Sequence, residues 1–348
     1  MGEPREPVQP SRPGFGRREL AIVCSHYELG AINSMHEFNR GSPRSPKIMI
    51  KGDRGVYLLK RRAPDRSDPY RVALCHRLQL HLAGEGFPTP ELVGTRGDNN
   101  SMLQHDGKVY ELFRYVDGRA CDRSTRDTQG AGRALARLHT IASRLPTDTR
   151  TPRGTYHDSD QVRRTIAQAR EQVRQTPAVL KAIDELGRVY EDAADRASEL
   201  LDADDSSQFV HGDFHPGNVL YRDGQVAAVL DFDSARSTPV VVDLASAALH
   251  FALEHGHAGE SPATLRLNGG RLGAFVGAFL EESDTAPRVS MAAVHLLMTE
   301  ALISEAVDPV ARTGRFGGLD GGAFLRLVAS RARRLGEEAS SLLAGSAR

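Results

Sequence analysis

Short apolar runs occupy the first third of the chain, and stripes at helical spacing occupy most of the rest. Lys47 to Lys51 and Val56 to Lys60 are β-prone runs joined by Gly52-Asp53-Arg54-Gly55, a turn of hairpin length. Asp68-Pro69 then opens a helix, with Asp as N-cap and Pro at the first helical position. Val72, Cys75, Leu78 and Leu82 form its apolar face until Gly84 and Gly86 end it. Lys108 to Gly118 reads as a further strand. Beyond it, Ala131, Ala134, Leu135, Leu138 and Ile141 share one helical stripe, and Thr176-Pro177 caps a second that carries Val179, Leu180, Ile183, Leu186 and Tyr190. Leu272, Phe275, Val276 and Phe279 mark another helix, and Val294, Leu297, Met298, Ala301 and Leu302 one more. The pattern predicts a β-rich part followed by a helical part, with no internal repeat.

The stretch Phe209 to Asp233, FVHGDFHPGNVLYRDGQVAAVLDFD, concentrates the chemistry. Val219 to Tyr221 and Val226 to Leu230 flank Arg222-Asp223-Gly224-Gln225, and Asp-Gly between such runs predicts a hairpin. A hairpin brings its outer ends together, so Asn218 and Asp231 become neighbours, with Asp213 on the loop just before. Mg²⁺ prefers hard oxygens, takes one or two from protein, and leaves its other positions to water and phosphate. Protein kinases place an Asp, an Asn and a second Asp in this order for phosphoryl transfer. Zinc is the rival: His211, Asp213 and His215 alternate and would face one way on a strand. Pro216-Gly217 breaks any such strand, and a zinc site leaves Asn218 and Asp231 without a task.

HGDFHPGNVL followed by VLDFDSARSTPVVVDLA resembles the aminoglycoside phosphotransferase family, the kinase-like small-molecule kinases that include homoserine, choline and methylthioribose kinases and spore-coat relatives. The resemblance is dense from Phe209 to Ala245 and weaker on either side. It implies a two-lobed, protein-kinase-like α+β fold, with a β-rich nucleotide-binding lobe over residues 18–117 and a mainly helical catalytic and substrate lobe over residues 118–348. Asp213 would be the catalytic base, and Asn218 and Asp231 the Mg²⁺ ligands. His211 would hold the loop in shape, and Asp243 would anchor it from the following helix. Phe113, Arg114 and Val116 would form the adenine-binding hinge, through backbone groups of the latter two.

Lys60 stands where kinases keep the lysine that pairs the ATP phosphates. Kinases hold that lysine with a Glu from the next helix, yet Pro69 to Ala83 contains no Asp or Glu. Counting back from Pro88 puts Cys75 or His76 at the Glu position. Lys60 is therefore expected to lack a carboxylate partner and to be ordered mainly by bound ATP. The phosphate-covering position, Phe38 to Lys47, is poor in glycine and contains two prolines, so it would act through Ser42, Arg44 and Lys47 side chains.

Charge and cysteine usage narrow the partners. Lys plus Arg equals Asp plus Glu at 45 each, which gives no electrostatic reason to expect nucleic acid or anionic membrane as a partner. Acidic and basic side chains also nearly balance from Ser234 onward, so no excess favours a polycationic acceptor. Cys24, Cys75 and Cys121 contain no C-x-x-C pair and read as reduced thiols of a cytoplasmic protein. The longest apolar run, Val240 to Leu253, is interrupted by Asp243 and His250 and is too short to span a membrane. The first residues carry no signal-peptide pattern. Pro4, Pro7, Pro10 and Pro13 among charges predict a disordered arm over residues 1–17. Asp202 to Ser207 reads as an acidic loop, and Glu254, Glu300 and Glu305 are candidates to line a substrate cleft. The expected activity is ATP-dependent phosphorylation of a hydroxyl on a small molecule. A pseudokinase or structural nucleotide-binding protein of the same fold is the alternative. No A-P-E segment follows Asp231, which speaks against a protein kinase.

Overall fold

In the computed structural model, which describes residues 14–42, 44–148, 150–201, 207–254, 266–283 and 290–346, the early β-prone runs pair into one antiparallel sheet. Its strands are β1 (Ile32–Glu37), β2 (Lys47–Gly52), β3 (Gly55–Arg61), β4 (Leu103–His105) and β5 (Lys108–Arg114), in the spatial order β1-β2-β3-β5-β4. The register sets Lys60 directly opposite Glu111 on the neighbouring strand. Side chains alternate across a strand. On one face Ile48, Ile50, Tyr57, Leu59, Tyr110 and Leu112 are buried together with Val23, Cys24 and Tyr27.

Val23 and Cys24 belong to helix α1 (Arg17–Ser25). The arm expected over residues 1–17 is corrected at its end. Residues 1–13 lie outside the described residues, but Phe15 packs against the sheet core beneath the Arg61 guanidinium, 4.9 Å from its ring centre. Gly16 supplies the N-cap of α1, and Glu19 in its first turn accepts hydrogen bonds from Arg61 and the Tyr110 hydroxyl, both at 2.6 Å. Helix α2 (Pro69–Gly84) starts where Asp68 predicts, its carboxylate accepting the Arg71 N–H at 2.8 Å.

The chain divides into two compact units. One comprises the residues up to Gly84 with Thr89–Asp117, and the other Glu85–Pro88 with everything from Gly118 onward. The second unit contains α3 (Thr125–Ala142), α4 (Asp160–Gln172), α5 (Pro177–Leu200), α6 (Val240–Ala252), α7 (Gly269–Glu282), α8 (Met291–Thr313) and α9 (Gly321–Ser346). Helices α3 and α7 approach so closely that a Cβ at Gly132 would lie 2.3 Å from the Phe275 carbonyl oxygen. Short strands β6 (Arg119–Ala120), β7 (Gln208–Val210), β8 (Val219–Arg222), β9 (Gln225–Val229) and β10 (Arg236–Thr238) form two small ladders among them, β6-β8-β9 and β10-β7. Asp223 and Gly224, both at positive φ (53° and 74°), make the turn between β8 and β9. Most of the acidic loop read at Asp202 to Ser207, residues 202–206, lies outside the described residues. Among the described residues no helix is long and apolar enough to cross a membrane.

Candidate active site

One buried imidazole organises the loop after β7. His211 Nε2 donates to the Leu230 carbonyl at 3.0 Å, and its Nδ1 accepts the Asp213 N–H at 3.2 Å. A single ring thus ties the His-Gly-Asp segment to the strand end that leads into Asp231. That pair of bonds requires the neutral Nε2–H tautomer. Burial favours it, pushing the His211 pKa below its ordinary value against the pull of Asp243. Phe214 and Phe232 pack on the ring, with centres at 5.6 and 4.8 Å.

Gly212 adopts φ +75°, and a Cβ there would sit 2.3 Å from the Ser234 carbonyl oxygen, so the turn needs glycine. Its N–H donates to Asp243 Oδ1 at 2.9 Å, and Asp243 Oδ2 accepts the His139 Nε2–H at 2.8 Å. Asp243, near the start of α6, therefore anchors the loop to α6 and α3. Burial works to raise the Asp243 pKa, but the His139 hydrogen bond and the nearby imidazoles outweigh it and hold the carboxylate below the usual range.

The hairpin joins its ends as its sequence predicts. Leu230 N–H donates to the Asn218 carbonyl at 2.8 Å, and Asn218 Nδ2 donates to the Asp213 carbonyl at 2.9 Å. The second bond fixes the amide with its oxygen as the remaining ligand atom. Asp231 follows in left-handed conformation, φ +62°, an unusual setting for a non-glycine residue and one found at functional sites. Asp213 is pushed above its ordinary pKa first by burial and further by the charge of Asp231, with His215 and His250 opposing. Two carboxylates whose charges repel, beside an amide oxygen, are the hard-oxygen donor set that a divalent cation fits. The zinc arrangement does not form. Both His211 nitrogens are engaged within the loop, and His215 Nδ1 accepts the Gly217 N–H at 3.0 Å. Among the described residues no cluster of three His, Cys, Asp or Glu side chains is placed to hold a metal.

Asp213 opens on a cavity of about 840 Å³ within the same unit, lined also by Arg123, His215, Arg236, His250 and Glu305. Of the three candidate glutamates, only Glu305 lines it, paired with His250 Nε2 at 3.0 Å. Glu300 is instead fully buried, accepting from His157 Nδ1 and the Asp158 N–H at 2.9 Å each. Glu254 accepts from Asn268 Nδ2 at 3.1 Å and stays outside the cavity lining.

The other candidates lie in the first unit. Lys60 does have a carboxylate partner, contrary to expectation: Glu111 of β5 places Oε2 3.8 Å from its Nζ. Glu111 Oε1 also accepts from Arg62 at 2.8 Å and from His76 Nε2 at 2.5 Å. The side chains of the phosphate-covering loop are engaged locally. Ser42 Oγ accepts the Arg44 N–H at 3.3 Å, Arg44 pairs with Asp65 at 3.0 Å, and Lys47 Nζ donates to the Arg40 carbonyl at 3.3 Å. Phe113 is half-buried on β5, beside its antiparallel partner Leu58. Arg114 donates its N–H to the Glu91 carbonyl and its guanidinium to the Glu91 carboxylate, both at 2.9 Å, so that N–H is not offered to a base. Val116 follows the end of β5, half-buried. The structure thus joins Asp213, Asn218 and Asp231 around one loop and hairpin, and keeps Lys60, Ser42, Phe113, Arg114 and Val116 on the five-stranded unit.

A five-stranded sheet with helices α1 and α2, joined in sequence to a helical unit carrying a His-Gly-Asp loop and an Asp-bearing hairpin end, defines a protein-kinase-like phosphotransferase fold. The chain belongs to the phosphotransferase enzyme family, whose model matches residues 40–280. A serine/threonine protein kinase of Salmonella typhimurium strain LT2, RdoA, is 29% identical over 194 residues, covering 55% of this chain and 56% of that protein. The chain thus spans about half the length of the curated relatives it matches. The same fold occurs in a microcompartment-associated aminopropanol kinase, with TM-score 0.67, 16% identity and coverage of 92% of this chain and 98% of that one. It occurs also in the amicoumacin kinase hAmiN, solved with AMP-PNP, Ca²⁺ and Ami, with TM-score 0.66, 14% identity and coverage of 94% of both chains.

Proposed function

We propose that the protein is an ATP-dependent phosphotransferase that phosphorylates a hydroxyl group of a small molecule. The observation that carries this reading is the joining of Asp213, Asn218 and Asp231 by one hairpin and one imidazole, with Asp213 facing a cavity large enough for a metabolite. In it, Asp213 orients the acceptor hydroxyl and takes its proton, and its raised pKa suits a general base better than an ordinary aspartate's. Asn218 Oδ1 and the Asp231 carboxylate hold Mg²⁺, and Lys60 steadies the phosphates. Bound Mg-ATP supplies the phosphoryl group and the cation that offsets its charge. Phe113 and the backbone of Arg114 and Val116 receive the base, the Arg114 carbonyl rather than its N–H being the group offered. Three cysteines without disulfide partners fit a cytoplasmic setting.

Asp213→Asn tests this reading. It should fold, bind nucleotide with Mg²⁺, and lose turnover by about two to four orders of magnitude, the usual worth of a positioned base. Near-wild-type turnover would remove Asp213 from the mechanism. A second reading, in which the hydroxyl belongs to a protein Ser or Thr, is favoured by the name of the RdoA relative. ADP release in the presence of hydroxylated metabolites, set against release with protein substrates, separates the two.

A further inference from the structure

The cluster around Glu111 is built from three segments of the first unit and is buried at every member: Lys60, Arg62, His76 and Glu111. It holds two permanent or near-permanent cations and one carboxylate. Burying charge without pairing is costly, so the cluster demands a specific arrangement. Arg62 and His76 both donate to Oε1, at 2.8 and 2.5 Å. His76 Nδ1 accepts in turn from the Ser101 hydroxyl at 2.8 Å, which fixes the Nε2–H tautomer that Glu111 needs. Oε2 is buried with no hydrogen-bond partner and faces Lys60 Nζ at 3.8 Å, too far for a hydrogen bond and close enough for a strong charge interaction at a buried site.

We propose that Glu111 is the residue that positions Lys60, in place of the helix glutamate this chain lacks, and that His76 connects the strand carboxylate to α2. The inference rests on the phosphotransferase reading of Lys60. Three features support it. Lys60 and Glu111 are exact cross-strand partners on the same face of the sheet, where opposite charges attract. At 3.8 Å the carboxylate acts on the ammonium through charge rather than through a hydrogen bond to Oε2. The imidazole stands on α2, at one of the two positions, Cys75 or His76, to which the family pattern assigns the missing carboxylate, and it reaches the substitute directly. Burial raises the Glu111 pKa, but Lys60, then Arg62 and His76 overcome it and keep the carboxylate ionised far below the ordinary range.

A purely structural ion cluster makes a different prediction from a positioning one, and relocation of the charge separates them. Glu111→Gln keeps the shape and an acceptor for His76 but removes the charge. His76→Glu combined with Glu111→Gln moves the carboxylate back to the helix. The readouts are the dissociation constant of a fluorescent ATP analogue with Mg²⁺, KM for ATP against kcat by ADP release, and the melting temperature. The single variant should weaken analogue binding and turnover by roughly one to two orders of magnitude, the scale of a misplaced binding group. The double variant should regain most of the binding, whatever its melting temperature. Wild-type affinity in Glu111→Gln, or a folded double variant no better than the single one, overturns the inference. If Glu111→Gln does not fold, the double variant compared with wild type decides alone. Wild-type protein that fails to bind the analogue removes the phosphotransferase reading itself and this inference with it. Intact wild-type binding with unaffected variants removes only the role of Glu111.

Discussion

Removing the Asp243 carboxylate should loosen the His-Gly-Asp loop and destabilise the helical unit by a calculable amount. Asp243 accepts two buried hydrogen bonds, from Gly212 N–H and His139 Nε2–H. Asp243→Ala orphans both donors, each at about 1–3 kcal/mol, or about 2–6 kcal/mol together. His139 cannot escape by changing tautomer, because its Nδ1 is already buried without a hydrogen-bond partner and a proton there would be equally stranded. Against a total stability of about 5–15 kcal/mol this is a large fraction. At about 2–4 °C per kcal/mol for a unit of this size, the melting temperature should fall on the order of 10 °C. Asp243→Asn keeps one acceptor for Gly212 but turns an amide N–H₂ towards His139, so about half that loss is expected. The pH dependence carries the same signature. Because the folded pKa is depressed below the unfolded value of about 3.9, the stabilisation is complete above that value and is lost as pH falls through the folded one. Asp243→Ala should therefore flatten the acid side of the stability profile. Thermal melting across pH, with kcat on the folded fraction, checks this. An alanine variant melting within a degree or two of wild type at neutral pH would refute the anchoring argument.

Asp231→Ala should abolish Mg²⁺-dependent nucleotide binding, while His215→Ala leaves it intact. Stoichiometric zinc in the purified protein, lost from the His215 variant, would restore the zinc alternative. His76→Glu alone should not help. It sets a second carboxylate against Glu111 in a buried site and deprives Ser101 of its acceptor, so melting should fall by several degrees without tighter nucleotide binding. Improved affinity in that variant would show that Glu111 does not serve Lys60.

The legible parts of this molecule are those whose geometry is local. Asp223-Gly224 fixes the hairpin because both residues tolerate positive φ, and the hairpin then fixes where Asn218 and the approach to Asp231 lie. Asp68-Pro69 fixes the start of α2 for a similar reason. Helix α1 escaped because its few apolar residues follow a proline-rich stretch and gain their burial from a sheet formed later in the chain. The buried role of Glu300 escaped for a related reason: its partners His157 and Asp158 lie 143 and 142 residues away. His139, 104 residues from Asp243, is invisible until α3 and α6 are packed.

Glu111 is the instructive case, because the alternating pattern of β5 is visible while its partner is not. Which residue faces Lys60 depends on a register between strands separated by a helix and a long connection, and a shift of one residue would send Glu111 to the opposite face. The physical consequence follows from the same register. A helix-borne glutamate leaves its lysine whenever the helix moves, which is how protein kinases make the pair conditional. A carboxylate on the strand next to Lys60 is held by the sheet ladder, and α2 reaches it through the His76 imidazole. Displacing α2 would then cost one hydrogen bond to Glu111, while the Lys60–Glu111 distance stays set by the ladder between β3 and β5. The lysine in this chain is held in place by the fold itself, and the helix is left to tune its partner rather than to supply it.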